Sequence, residues 1–151
     1  MRLVRGTSDI LKWRESDEND LLWLTADPGC GKSVLSRALV DERLVGIGSC
    51  NPTICHFFFK DNEEQNNIAT ALCALLHQLF RAHEHLFERH AASVIEKTGQ
   101  RVREDFEELW PILQSAVMDP SAGDVICILD ALDECQESDR NKLIVHLKRF
   151  Y

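Results

Sequence analysis

Residues suited to chemistry are concentrated in one short stretch, 26–33, directly behind the apolar run 21–24. Gly29 and Gly31 allow successive backbone N–H groups to turn inward around an anion. Lys32 supplies a positive charge for the β- and γ-phosphates of a nucleotide, and the Ser33 hydroxyl is suited to holding Mg²⁺. A helix that begins near Lys32 adds the positive end of its dipole. The stretch predicts a phosphate-binding loop with the nucleotide-binding residues Asp27, Pro28, Gly29, Cys30, Gly31, Lys32, Ser33 and Val34.

The order of these residues follows the Walker A pattern G-x-x-x-x-G-K-[ST] with one departure. Ala26 stands where the pattern has its first glycine. That position closes the preceding strand, where a Cβ is tolerated, so we expect the departure to have a small effect. The surrounding sequence fits the motif, because it predicts a buried strand over 21–25 and a helix over 32–44.

A second group of candidate residues follows the apolar run 125–129 about a hundred residues later. Asp130 ends this predicted strand, as in a Walker B motif, and a carboxylate there can hold Mg²⁺ opposite Ser33. Asp133 and Glu134 lie slightly farther along the same rim, where a carboxylate can orient or deprotonate an attacking water. We favour Glu134 as the catalytic base and Asp133 as a supporting or Mg²⁺-side group, although the sequence alone does not separate them.

Composition limits the class of protein and its partners. The chain has 151 residues, 44% of them hydrophobic, which suits one domain or part of one. Its net charge of −8 argues against binding nucleic acid or an anionic membrane through the whole surface. No apolar run approaches the ~20 residues that span a bilayer. The six cysteines form no C-x-x-C pair, so we expect a reduced, cytoplasmic protein.

The remaining elements predict an α/β fold in the order β-α-β-α-α-α-β-α, with a parallel sheet between helical layers. We assign 1–20 as a lead-in segment with a short turn or helix near 10–13, and 21–151 as the core. Loop 45–53 separates the first helix from the second strand, 54–59. Helices are predicted over 68–80, 85–97 and 106–117, and in a final segment that contains Leu143 and Phe150.

Several details of these elements can be tested. Asn66 or Asn67 is expected to cap the helix 68–80, and Ser138 or Asp139 to cap the last helix. Pro111 should kink the helix 106–117 or delay its start. His56 is expected to be a hydrogen-bonded core or rim residue. The other helical histidines lack the convergent spacing of a zinc site, and Trp110 and the phenylalanines fit a core.

With both motifs in place, the sequence resembles the NACHT-type NTPase domain of the STAND class of P-loop NTPases. The resemblance is to the nephrocystin-3-like N-terminal form of fungal NOD-like receptors. It rests on the segments 22–33, 55–61, 69–79 and 126–135, and covers nearly the whole chain.

The resemblance implies a three-layer P-loop NTPase fold of the ASCE/STAND type. It also implies a switch that binds ATP or GTP with Mg²⁺, hydrolyses it slowly, and self-associates or joins NOD-like receptor partners. By motif position, Lys32 and Ser33 hold phosphate and Mg²⁺, Asp130 is the Walker B acid, and Glu134 or Asp133 is the catalytic acid.

In this family the strand after Walker B carries a sensor residue and inserts between the first and third strands. A helical lid and a winged helix follow it. The resemblance therefore implies a domain truncated after the Walker B strand and its following helix, with a weakened fold and inefficient hydrolysis. Ala131 is a smaller departure, because it stands where glycine is common.

Two other functions remain open at this stage. The chain could be a non-catalytic nucleotide-binding or oligomerisation fragment that acts on full-length relatives. It could also be a P-loop kinase, for which Arg101 and Arg103 are available lid residues, although the acidic rim suits water activation better. No Asn-Lys-x-Asp segment favours GTP, and the choice between ATP and GTP stays open.

Overall fold

The computed structural model describes residues 2–4, 21–25, 27, 29–41 and 52–150. Several sequence predictions fall outside these residues. They are the turn or helix near 10–13, the end of the helix 32–44, most of the loop 45–53, and two positions of the phosphate loop, Ala26 and Pro28.

The strands form two parallel pairs. Strand β1 (Arg2–Val4) pairs with β2 (Leu22–Leu24), and β3 (Thr53–Phe58) pairs with β4 (Val125–Asp130). The parallel α/β character is as predicted, but β1 was not predicted. Among the described residues β2 pairs with neither β3 nor β4, so the single sheet expected from the sequence is replaced by two. The expected burial of β2 is also wrong, because Leu22 and Trp23 are half-buried and Leu24 is exposed.

Helices make up most of the described chain. The α-helices are α1 (Lys32–Asp41), α2 (Ile68–Ala82), α3 (Glu84–His90), α4 (Ala92–Thr98), α5 (Phe106–Val117) and α6 (Glu137–Phe150). Short 3₁₀ helices cover Gly99–Glu104, Pro120–Ala122 and Leu132–Glu134. Among the described residues, no helix has both the length and the apolar composition needed to cross a bilayer.

Helix α2 lies at the centre of the core. It begins at the predicted cap, because the Asn67 side chain accepts a hydrogen bond from the Thr70 N–H at 2.8 Å. Its apolar residues recur at the helical period and pack against β3 and α5. The fully buried members of this face include Leu72, Leu75 and Leu79. Trp110 of α5 is also buried, as the sequence predicted.

One helix prediction needs correction, and one of two alternatives for another is excluded. The segment 85–97 is not one helix, because α3 ends and α4 begins at Ala91, which is buried in the core. Helix α5 begins at Phe106, capped by the Asp105 side chain, so Pro111 does not delay its start. A proline inside a helix costs about 3 kcal/mol. Burying large apolar side chains stabilises by about 1.5–3 kcal/mol each, and α5 buries several of them.

The predicted cap of the last helix is also wrong. Helix α6 begins at Glu137, so Ser138 and Asp139 both lie inside its first turn. The Asp139 carboxylate instead accepts a hydrogen bond from the Ile68 N–H at 3.0 Å. It therefore satisfies a donor at the start of α2 that has no partner within that helix.

The side chain of Gln78 hydrogen-bonds to the backbone of β3 at His56 and so occupies one edge of this strand. Gln78 of α2 accepts a hydrogen bond from the His56 N–H at 3.1 Å and donates one to the His56 carbonyl at 2.8 Å. The ring of His56 lies beside that of Phe58, and its Nδ1 is buried with no hydrogen-bond partner among the described residues. The prediction of a hydrogen-bonded His56 thus holds for the backbone and is wrong for the ring Nδ1.

Candidate functional site

The described residues of the predicted phosphate loop, 27 and 29–33, include a turn between β2 and α1. Gly29 and Gly31 have φ values of 81° and 82°, a left-handed conformation that glycine adopts without a Cβ penalty. The Cys30 N–H and the Lys32 Nζ both donate to the Asp27 carbonyl, at 3.3 and 3.2 Å. The Gly31 carbonyl then accepts the first helical bond, from the Leu35 N–H at 2.9 Å. Two glycines of the predicted loop thus adopt a backbone conformation in which a residue with a Cβ would be strained.

Helix α1 is poorly covered. Val34 is 74% exposed and Leu35 is 37% exposed, whereas Ser36 is the buried residue of this helix. The apolar face expected from Val34, Leu35, Ala38 and Leu39 therefore lacks full cover within the described chain. Ser33 is exposed at the start of the helix, where its hydroxyl is accessible to a ligand.

Asp130 ends β4, opposite Phe58 of β3. Its residue is only 7% exposed, and its backbone carbonyl accepts a hydrogen bond from the Phe59 N–H at 3.0 Å. Helix α1 contacts β4. The helix that carries Lys32 and Ser33 and the strand that carries Asp130 are therefore neighbours in the fold.

The chain turns sharply after Asp130. Ala131 has φ 54° and ψ 41°, a left-handed conformation that costs a non-glycine residue about 1–2 kcal/mol. Ala131 stands where glycine is common in the family that the sequence resembles, and its left-handed conformation was not predicted. This turn directs the chain into the 3₁₀ helix that carries Asp133 and Glu134.

The structure distinguishes the two candidate acids. Glu134 Oε2 accepts a hydrogen bond from the Asp61 N–H at 3.0 Å. Asp133 contributes its backbone carbonyl, which accepts from Arg140 Nη1 at 3.4 Å. Both residues are exposed. Glu134 is therefore the acid whose carboxylate is held by the neighbouring chain, and Asp61 is a contributing residue that sequence reasoning missed.

Further contacts join the loop 60–67, which follows β3, to the segment 133–139. The Gln136 N–H donates to the Asn66 carbonyl at 2.8 Å, and the Gln136 side chain donates to Asn66 Oδ1 at 3.2 Å. The Cys135 side chain is buried in a small cluster with Phe57, Phe59 and Ala71. The carboxyl ends of β3 and β4 thus carry two connected loops.

Comparison with known proteins identifies the family. A profile described as Nephrocystin 3, N-terminal matches residues 3–151. The chain belongs to the nephrocystin 3, N-terminal family. The vegetative incompatibility protein HET-E-1 of Podospora anserina is 30% identical over 137 residues, which are 87% of this chain and 10% of that protein. The chain thus spans about a tenth of the curated relative it matches. No solved structure matches it.

In this member of the nephrocystin 3, N-terminal family, three of the six histidines contact residues near the amino ends of β3 and β4. His83 Nε2 is 2.8 Å from Thr53 Oγ1, and His85 Nε2 is 2.8 Å from Ser121 Oγ. His90 and Arg89 both contact Asp119 Oδ2, at 2.8 and 2.6 Å. The described residues contain no group of three or more acidic, histidine or cysteine side chains able to hold a metal ion.

Asp119 is the centre of this cluster. Its Oδ1 accepts hydrogen bonds from the hydroxyl and the N–H of Ser121. The Ser121 hydroxyl, followed by His90, the Ser121 N–H and Arg89, lowers the pKa of Asp119 far below its usual range. Because these groups satisfy one another, the cluster fits a structural role at the start of β4.

A cavity of about 1000 Å³ in this family member lies away from the phosphate loop. Its walls come from α2 to α5 and the 3₁₀ helix Gly99–Glu104, and include Arg103. That 3₁₀ helix, which also carries Arg101, packs against α2, α4 and α5. The two arginines considered for a kinase lid, Arg101 and Arg103, thus lie in a segment that packs against helices α2, α4 and α5.

Two cysteines are unsuited to thiolate chemistry at neutral pH. Burial raises the pKa of Cys55 to about 11. Burial, and to a smaller extent the Asp139 carboxylate, raises the pKa of Cys135 to about 11. Cys30 of the phosphate loop is an exposed free thiol.

Proposed function

We propose that this chain is the nucleotide-binding module of a NOD-like receptor-type signalling protein and binds ATP or GTP with Mg²⁺. The observation that carries the proposal is the pair of left-handed glycines, Gly29 and Gly31, in a turn that leads directly into α1, as expected of an anion-binding loop. Membership of the nephrocystin 3, N-terminal family and the similarity to a vegetative incompatibility protein support a signalling role.

The donor set fits Mg²⁺ with a nucleoside triphosphate. Mg²⁺ prefers oxygen ligands, and the Ser33 hydroxyl and the Asp130 carboxylate supply them from two neighbouring elements. When bound, Mg²⁺ would neutralise charge on the phosphates. Lys32 would bind the β- and γ-phosphates, and Asp27 to Val34 would surround them. Glu134, with Asp133 beside it, would accept a proton from the water that attacks the γ-phosphorus.

Binding is tested by thermal unfolding with Mg²⁺ and either ATP or GTP. A ligand at 100 times its Kd adds about 2.7 kcal/mol to the free energy of unfolding, so the melting temperature should rise. Lys32→Ala should reduce or abolish that rise. Lys97→Ala is the matched control, because it removes an exposed lysine from α4. Absence of a shift with both nucleotides, or an equal shift in Lys32→Ala, contradicts the proposal.

A second candidate is nucleotide binding or oligomerisation without hydrolysis. The separation of β2 from the β3–β4 sheet favours it, because hydrolysis needs the phosphate loop and Asp130 in a fixed relation. Release of inorganic phosphate by the purified chain distinguishes the two. Phosphate that appears in wild type and disappears in Lys32→Ala supports slow hydrolysis. Nucleotide binding with no Lys32-dependent phosphate supports the non-catalytic function.

A further inference from the structure

The loop 60–67 is held by hydrogen bonds that do not involve Glu134. Asn62 Oδ1 accepts hydrogen bonds from the Glu64 and Gln65 N–H groups, at 3.1 and 2.9 Å, which closes a local turn. At the end of the loop, Asn66 is held by Gln136 and the start of α2 is held by Asp139. These contacts fix the end of the loop, after the turn, against the segment 133–139.

The backbone that carries Glu134 is also fixed. Ala131 sets the direction of the turn, and the Glu134 N–H donates to the Ala131 carbonyl at 2.9 Å. Cys135 anchors the next position in its apolar cluster. The remaining conformational freedom is that of the Glu134 side chain, because the residue is exposed and the side chain has several rotatable bonds.

The Asp61 N–H removes much of that freedom. It donates to Glu134 Oε2, and Oε1 takes no part in this hydrogen bond. A backbone donor held by a fixed loop confines the carboxylate more closely than a second flexible side chain could. Positioning of this kind matters, because a misplacement of about 1 Å can reduce a reaction rate by about a hundredfold.

We propose that the backbone N–H of Asp61 is a positioning group for Glu134 in nucleoside triphosphate hydrolysis. The inference rests on the proposed function. Glu134 Oε1 takes a proton from water as the water oxygen bonds to the γ-phosphorus, and the bond to the β-phosphate oxygen breaks. The products are the nucleoside diphosphate and inorganic phosphate. The Asp61 N–H takes no part in this transfer and holds the base that does.

Proline substitution tests the inference, because proline has no N–H. Asp61→Pro in the 151-residue chain should lower kcat for Mg-ATP or Mg-GTP by about tenfold or more, and by no more than Glu134→Gln does. KM and nucleotide binding should stay close to wild type. Asp61→Ala keeps the N–H and should keep kcat. Glu63→Pro is the control for adding a proline to this loop. It places proline at the second position of the turn that begins at Asn62, where proline is favoured, and kcat should stay close to wild type.

The double variant separates positioning from general damage. Asp61→Pro should have no further effect on kcat in the Glu134→Gln background, since the group it positions is absent. The inference is overturned if Asp61→Pro leaves kcat unchanged, raises it, or lowers it equally in both backgrounds. If the wild-type chain binds no nucleotide, that result contradicts the proposed function itself. Far-UV circular dichroism and the melting temperature show whether each variant is folded.

Discussion

Helices α1 and α2 each follow a parallel strand and each carry an apolar pattern, yet they are buried to very different extents. Helix α2 places Leu72, Leu75 and Leu79 in the core at 2% exposure or less. Helix α1 leaves Val34 74% exposed and buries Ser36. The difference lies in their neighbours, because α2 packs against β3, α3, α5 and α6, whereas α1 contacts β4.

This contrast assigns different physical roles to the two regions. Burial of each large apolar side chain of α2 stabilises the fold by about 1.5–3 kcal/mol. Helix α1 buries fewer apolar side chains, so burial contributes less to the stability of this helix than to that of α2. Ligand-binding segments are commonly drawn from the less stable parts of a protein. Matched substitutions in the two helices test this contrast, and two further substitutions test the loops on either side of β4.

The largest effect is expected in the core. Leu79→Ala removes a side chain with 0% exposure and should lower the free energy of unfolding by about 2–5 kcal/mol. Val34→Ala on α1 should change it by less than about 0.5 kcal/mol. Urea unfolding monitored by circular dichroism measures both. Equal effects of the two substitutions would remove the contrast between the helices.

A smaller effect is expected at Asp119, where the folded carboxyl has a lowered pKa. Its contribution to stability is present above its unfolded pKa, near 3.8, and is lost as the pH falls toward the lower folded value. Asp119→Asn should therefore lower the melting temperature at pH 7, and the gap from wild type should narrow at pH 3. Asp124→Asn, an exposed neighbour, is the control. A gap that widens at pH 3 contradicts this account.

The smallest effect is expected at Ala131 and has the opposite sign. Glycine removes the cost of the left-handed conformation, which is about 1–2 kcal/mol for alanine. It also increases the conformational entropy of the unfolded chain, which lowers the free energy of unfolding by about 0.4–1 kcal/mol. Ala131→Gly should raise the free energy of unfolding by up to about 1 kcal/mol. Urea unfolding of the substituted chain checks this, and a loss of stability would show that the alanine methyl group has a packing role.

Local features were predictable from the sequence because their causes are local. The period of apolar residues predicted α2, the Asn67 side chain predicted its start, and the apolar runs predicted β3 and β4. The glycines of the phosphate loop belong to the same class, since a left-handed turn needs a residue without a Cβ.

Features that depend on distant parts of the chain were not predictable in the same way. Asp139 resembles a cap of its own helix but binds the start of α2, because folding brings these elements together. Asp61 contributes a backbone N–H, which every residue except proline has, so no residue type marks it. Strand β1 is three residues long within a polar segment, and its pairing with β2 follows from the fold.

The hydrogen bonds between Gln78 and His56 make the two edges of the β3–β4 sheet unequal. A strand that added beside β3 would have to displace a side-chain amide that already engages both backbone groups of His56. Addition beside β4 involves no such exchange with Gln78. Gln78 therefore blocks strand addition at the His56 position of β3 and leaves β4 unaffected.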